Sequence, residues 1–189
     1  MYTVIGLGNP GGRYFYTRHN IAWLFFHWLE KEGVLSDLWS ANRYLDALYQ
    51  RHFIDGKEIL FVKPQTFMNR SGLVVSQIQK LFGDAFDPDR MVVIHDELDL
   101  PFGEVRTVFG RGAAGHHGVE SIIHHLGTPA FWRIRIGISS LVETEDGRKV
   151  LSKPNVLAPF SREELEELED SIFPKVREAL EEVIGVSLS

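Results

Sequence analysis

His19 lies in Thr17-Arg18-His19-Asn20, just ahead of a helix start and outside any apolar stripe. Such an imidazole becomes interesting as a base only if a carboxylate can reach it. The run His95-Asp96-Glu97-Leu98-Asp99-Leu100-Pro101 offers candidates. The uniformly apolar Met91-Val92-Val93-Ile94 before it reads as a central strand covered on both faces, which delivers the acids to its carboxyl end. Asp96, Glu97 and Asp99 are costly to bury together, so some must face water or a cation. On its own the run also fits a solvated turn. Pairing Asp96 with an imidazole would favour the imidazolium and fix its tautomer.

Three further segments could carry chemistry. Gly6-Leu7-Gly8-Asn9-Pro10-Gly11-Gly12 follows a strand and formally matches a dinucleotide turn. Such a site needs the turn to open a helix, and here the first convincing helix waits until Asn20. The turn reads either as a simple tight turn or as one that presents Asn9 at the carboxyl end of a strand, where α/β proteins bind ligands. Lys63-Pro64-Gln65-Thr66-Phe67-Met68-Asn69-Arg70-Ser71-Gly72 joins a strand to a helix that Ser71 is expected to cap. Its aromatic, amide and arginine suit an unstacked base or a peptide backbone, although Phe67 and Met68 fit a core equally well. Gly110-Arg111-Gly112-Ala113-Ala114-Gly115-His116-His117-Gly118 implies a mobile loop or close approach of a ligand, and its two histidines suggest a metal or polar site. His95, Asp96, His116, His117, His124 and His125 together leave open a metal-dependent phosphohydrolase. Against it, His124 and His125 are neighbours in a helix-like stretch and face different directions.

The elements that must position these residues alternate. Strands are expected at 2–6, 45–54, 58–63, 91–95, 104–109 and 133–139, and helices at 21–32, 71–82, 118–126 and 161–184. Asn20 is a candidate N-cap for the first helix, with Ile21, Leu24, Phe25, Trp28 and Leu29 on one face. Ser161-x-x-Glu164 is a capping box for the last, which Pro174 should break or kink. The strict alternation of 133–139 predicts an exposed face carrying Arg133 and Arg135. The 45–63 pair, turning near Asp55-Gly56, reads as a hairpin, so an all-parallel sheet is not expected. The fold class is α/β: one domain over 1–189, with a mixed, mostly parallel twisted sheet flanked by helices and an acidic helical region at 161–184.

A chain of 189 residues suits one domain, and 44% hydrophobic with 24% charged residues is ordinary for a soluble protein. The absence of cysteine excludes disulfides, thiolate nucleophiles and cysteine zinc sites. There is no basic leader and no apolar run of the roughly 18 residues that span a bilayer, so a cytoplasmic location is expected. The net charge of -6 speaks against a nucleic-acid partner until its distribution is read. Residues 161–182 hold nine acids and three bases, which accounts for the whole excess and leaves 1–160 balanced.

Taken together, Gly6–Gly11, Thr17–Asn20, Lys63–Gly72, His95–Pro101 and Arg133-Ile134-Arg135-Ile136-Gly137 resemble, in order and spacing, the bacterial-type peptidyl-tRNA hydrolase family; the likeness runs from about residue 3 to 160. The resemblance implies a monomeric esterase, independent of metal and cofactor. It would cut the ester between a peptide and the 3′ ribose of tRNA. His19 matches the family's base, Asp96 the carboxylate supporting it, and Asn9 the residue sensing the peptide amide. Tyr14, Phe67 and Asn69 match positions that hold the 3′ end or the peptide. His117 stands where a substrate-binding asparagine is common. Arg135 matches an arginine that grips the tRNA 5′-phosphate, but Val108 occupies the partner lysine's position, and Arg106, two residues away on the same strand face, is expected to substitute. The resemblance also implies a closing segment after the last helix, which is expected to be shortened here. With His117 and Val108 as departures, a non-catalytic RNA-binding descendant of the same fold is the second alternative.

Overall fold

The computed structural model describes residues 1–42 and 44–188. The chain forms strands β1 (Tyr2–Gly6), β2 (Ser40–Asn42), β3 (Ala47–Ile54), β4 (Lys57–Pro64), β5 (Met91–Pro101), β6 (Val105–Phe109), β7 (Trp132–Glu143) and β8 (Lys149–Ser152). Its helices are α1 (Ile21–Lys31), α2 (Ser71–Phe82), α3 (His117–Leu126), α4 (Arg162–Glu167) and α5 (Phe173–Ile184). The sheet order is β2-β3-β4-β1-β5-β7-β6, with β8 paired to β7 beyond the main sheet. The central four strands, β4, β1, β5 and β7, run parallel, and the pairs at either side are antiparallel. The fold is therefore α/β with a mixed sheet flanked by helices. Among the described residues no helix is long and apolar enough to cross a membrane.

Two apolar clusters sandwich the sheet. Val4, Phe61, Val92, Ile94 and Ile134 face α1 and α5, while Ile5, Leu60, Val62 and Val93 face α2 and α3. That division follows from the period of two in each strand. In α1 the burial runs nearly all round, from Ile21 to Leu29, because α5 covers what the sheet does not. Phe25 and Trp28 pack against Phe173, with ring centroids 5.7 and 6.0 Å apart. A fully buried Phe contributes about 1.5–3 kcal/mol, so this cluster docks the C-terminal helices firmly.

The glycines of the first turn serve this packing. A Cβ on Gly6 would meet the Phe26 ring and one on Gly8 the Trp23 ring, and Trp23 Nε1 donates to the Gly6 carbonyl at 2.8 Å. They admit α1, not a dinucleotide. Asn20 lies at the cap position but makes no side-chain cap bond. Ser71 is the first residue of α2, and its hydroxyl donates to the Met68 carbonyl. The expected last helix is α4, a π-helical turn over Leu168–Ile172, and α5. The wider turn accommodates Pro174, which lacks an N–H and would crowd the carbonyl four residues back.

Candidate active site

The carboxyl ends of adjacent parallel strands converge. Gly6 of β1 pairs with Ile94 of β5, and the Leu7 N–H extends that ladder to the Ile94 carbonyl at 3.0 Å. Asn9 and Asp96 thus leave neighbouring strand ends, and the turn after β4, on the other side of β1, brings Phe67, Met68 and Asn69. This is where ligands of α/β proteins sit.

Asp96 is buried and ionised. Burial pushes its carboxyl up, but His116 and His19, both hydrogen-bonded to it, outweigh that and hold it below the ordinary carboxylate range. His19 Nδ1–H donates to Asp96 Oδ1 at 2.8 Å, and His116 Nε2–H donates to the same oxygen at 3.0 Å. An ionised carboxylate only accepts, so both tautomers are set. A neutral His19 then carries its lone pair on Nε2, which has no partner among the described residues. His116 is the N-cap of α3, and its Nδ1 accepts the Val119 N–H at 3.3 Å. His95 is fully buried. Its Nδ1–H donates to the Asp96 carbonyl at 2.6 Å, its Nε2 is unpartnered, and its ring lies edge-on to His116. Burial, and then the adjacent His116, push its imidazole well below the usual histidine range.

The three acids of the motif separate by partner. Asp96 takes the imidazoles, buried Glu97 accepts from Arg135 Nε at 2.8 Å, and exposed Asp99 pairs with Lys153. The run is strand, since β5 continues to Pro101 through an irregular register after Glu97; the solvated-turn reading is corrected. His19, Asp96, Glu97, Leu98, Ala114, Gly115, His116, His117 and Val156 line one pocket of about 170 Å³.

Asn9 is rigidly held. Its backbone N–H donates to Asn20 Oδ1 at 2.9 Å, its carbonyl accepts from Asn20 Nδ2 at 3.0 Å, and its side-chain Oδ1 accepts the Met68 N–H at 2.9 Å. Only Nδ2 remains to donate. Beside it, Tyr14 and Phe67 meet edge to face at 6.4 Å, Phe67 is half exposed, and Arg13 lies over the Tyr14 ring. Asn69 is exposed.

The chain matches the family described as peptidyl-tRNA hydrolase over residues 3–188. It is 39% identical over 177 residues to the peptidyl-tRNA hydrolase of Bacillus subtilis, covering 94% of this chain and 89% of that protein. It is 37% identical over 186 residues to that of Lactobacillus delbrueckii, covering 98% and 94%. The crystal structure of peptidyl-tRNA hydrolase from Acinetobacter baumannii superposes with a TM-score of 0.73 at 27% identity, covering 100% of this chain and 97% of that one. This chain belongs to the peptidyl-tRNA hydrolase family. It is a hydrolase.

Within this peptidyl-tRNA hydrolase fold, the sequence-derived residues fall into three groups. His19, Asp96 and His117 share the pocket, with Asn9 tied to the His19 turn through Asn20. Tyr14, Phe67 and Asn69 lie outside that pocket's wall. Arg106 and Arg135 are register partners across β6 and β7, on the same face of neighbouring strands as expected. Each offers Nε to a carboxylate, Glu104 and Glu97 respectively, and keeps its terminal nitrogens. Arg133 corrects the expected exposed face: it is buried, and its Nη1 donates to the Gly112 carbonyl. β7 lies between β5 and β6, and the glycine-rich loop closes over it.

Sequence reasoning placed His117 at the substrate, and it does line the pocket; it did not single out His116 as a partner of Asp96. His117 is exposed and pairs with Glu120 at 3.1 Å; the imidazole on Asp96 is His116. Successive residues at a helix start point in different directions, so only one of two adjacent histidines can face a strand end. Which one follows from the turn at Ala114 and Gly115, both with positive φ. The sequence carried a signal for a polar site there, not for the choice. Asn20, read as a cap, was also missed as the clamp on Asn9.

Proposed function

We propose that this chain hydrolyses the ester between a peptide and the 3′ ribose of tRNA, with water activated by His19, in the cytoplasm and as a monomer. The observation that carries the mechanism is the His19–Asp96 hydrogen bond, which leaves Nε2 as the basic atom beside the pocket. Nε2 takes a proton from water as the water oxygen bonds to the ester carbonyl carbon. The tetrahedral intermediate collapses by breaking the bond to the 3′ oxygen, which leaves with the proton from Nε2. The products are a peptide carboxylic acid, which ionises in water, and a tRNA with a free 3′ hydroxyl. Ionised Asp96 stabilises the transient imidazolium without itself taking the proton. General-base catalysis of this kind supplies about 10²–10⁴-fold.

Asn9 fits the role of a fixed carbonyl reader. Its Oδ1 is committed to Met68, so Nδ2 is the side-chain group left to donate, to a developing oxyanion or a peptide carbonyl. The pocket is smaller than the ~300–1,000 Å³ that encloses a whole ligand. In this reading it takes one end of the substrate, and the Tyr14–Phe67 pair with Asn69 supports the rest. Arg135 and Arg106 receive the 5′-phosphate.

His19, Asp96 and His116 also bring three donor atoms within 4.8 Å of one another, as a metal site would. To ligate, His116 would have to move its proton from Nε2 to Nδ1, where the Val119 N–H already points. The arrangement suits proton transfer, and we propose that the reaction needs no metal or other cofactor. The test is ester release from an N-blocked aminoacyl-tRNA beside an unblocked one, with and without a chelator. Release from the blocked substrate alone, unaffected by chelator, is expected. Binding without turnover would instead support an RNA-binding descendant of the fold, and loss of turnover in chelator a metal enzyme.

A further inference from the structure

The segment from Val156 to Phe160 runs as a strap along the turn that carries His19. Thr17 bridges to Pro159 in antiparallel fashion. The Arg18 N–H donates to the Ala158 carbonyl at 3.1 Å, the His19 N–H to the Val156 carbonyl at 2.9 Å, and the Phe160 N–H to the Tyr16 carbonyl at 2.9 Å. The base is therefore held from behind by residues that are distant in sequence and lead straight into α4.

One carboxylate closes this arrangement. Glu164 sits in the first turn of α4 and completes its capping box, accepting the Ser161 N–H on Oε2 at 2.8 Å. Both its oxygens also accept from Arg18 Nη2, at 2.8 and 2.9 Å. The Arg18 guanidinium lies over the Phe160 ring at 4.8 Å, and its ion pair is with Glu164 alone among the described residues. The two side chains are only 14% and 25% exposed, so the pair is partly shielded from water and from salt. The remaining acids of α4 face outward; Glu164 faces the turn of the base.

We propose that Glu164 is a positioning residue for His19: through Arg18 and the 156–160 strap it fixes the imidazole against Asp96, making the start of the C-terminal helix part of the hydrolytic apparatus. The inference rests on the hydrolase reading above. Without the pair, the strap keeps its backbone bonds to the turn and the packing of buried Phe160, but loses its one side-chain ion pair to Arg18, and His19 samples positions in which Nδ1–H no longer meets Oδ1. Small misplacements of a reacting group are expensive in rate even where binding is intact.

Glu164→Gln keeps an oxygen for the Ser161 N–H and removes the charge opposite Arg18. Ser161→Ala weakens the cap and leaves the ion pair. Steady-state hydrolysis of an N-blocked aminoacyl-tRNA is measured at a temperature where each variant is folded. Beside it, the NMR signal of the His19 Nδ1–H, assigned by its loss in His19→Ala, reports the contact with Asp96. For Glu164→Gln we expect kcat to fall about tenfold, KM to stay within about twofold, and the proton to exchange faster. For Ser161→Ala we expect a lower Tm with kcat and the proton signal unchanged. If Glu164→Gln does not fold, Arg18→Lys carries the same test, since a single ammonium cannot reproduce the guanidinium packed on Phe160. A folded variant with wild-type kcat and proton signal overturns the proposal, as does an equal loss of kcat in Ser161→Ala, which would reduce Glu164 to a helix cap. If wild-type protein releases no peptide, the hydrolase reading fails, and the proton signal still decides whether Glu164 positions His19.

Discussion

Asp96 accepts two imidazole N–H groups on one oxygen, and that sharing predicts how an asparagine behaves in its place. The Oδ1 of Asn can accept from His19 and His116 alike, so both tautomers survive and only the charge opposite the imidazolium is lost. Asp96→Asn should therefore cost less rate than His19→Ala, about 10–100-fold. Equal or greater damage in a folded protein would mean that Asp96 takes the proton. His95 answers to a different measurement. Its buried imidazole is held well below the ordinary histidine range, so the unfolded chain takes up its proton first as pH falls. Its contribution to stability is present above the unfolded value of about 6.5 and is lost as pH drops below it. His52, also lowered by burial, adds to the same slope. Urea unfolding at pH 7 and pH 5.5 should show a smaller loss in His95→Asn than in wild type. Equal losses would show that His95 is not held neutral.

At the scale of elements, the apolar run of β5 places its end at His95, yet the strand continues to Pro101. The extension bends where its register with β7 shifts, and Gly137 of β7 lies against the bend. A Cβ there would overlap the Pro101 carbonyl, which is backbone and cannot swing aside. Gly137→Ala should destabilise the fold by at least about 2 kcal/mol, read from the urea midpoint at constant m-value. An unchanged midpoint would mean the bend is not fixed by that contact. The same region shows what local pattern cannot tell. Alternation in 133–139 identified a strand and the shared face of Arg133 and Arg135, but exposure depends on which strands lie beside it and on the loop that covers it. Helices α1, α2 and α3 were legible because their apolar spacing is long and periodic. The three-residue β2 and four-residue β8 were not, being too short to carry a pattern. Pro174 announced an interruption, and the chain meets it with a π turn over Leu168–Ile172 that leads directly into α5.

For the molecule as a whole, the acidic excess lies in the C-terminal helices, and the proposed tRNA face is at β6 and β7. Arg106 and Arg135 face Glu104 and Glu97, so the patch is locally neutral until a phosphate takes their terminal nitrogens. Removing either arginine's phosphate contact should lower the salt slope of tRNA binding by about 0.7–0.9. The resemblance puts a phosphate-gripping lysine where Val108 stands, so if Arg106 substitutes for it, Arg106→Ala should erase discrimination between substrates with and without a 5′-phosphate; intact discrimination would show that another group reads it. The site was legible in the same uneven way. His19, Asp96 and Asn9 stood out because strand ends and a helix start bracket them. His116 and the role proposed for Glu164 did not, since they depend on the glycine-rich loop and the strap folding back over the carboxyl ends of the central strands. Every step of the proposed hydrolysis runs through His19 as the base. Single-turnover ester release from an N-blocked aminoacyl-tRNA, measured for wild type and His19→Ala beside their tRNA affinities, tests that most directly. A rate loss of at least about 100-fold with affinity retained is expected; a folded His19→Ala protein within about threefold of the wild-type rate would show that another group activates the water.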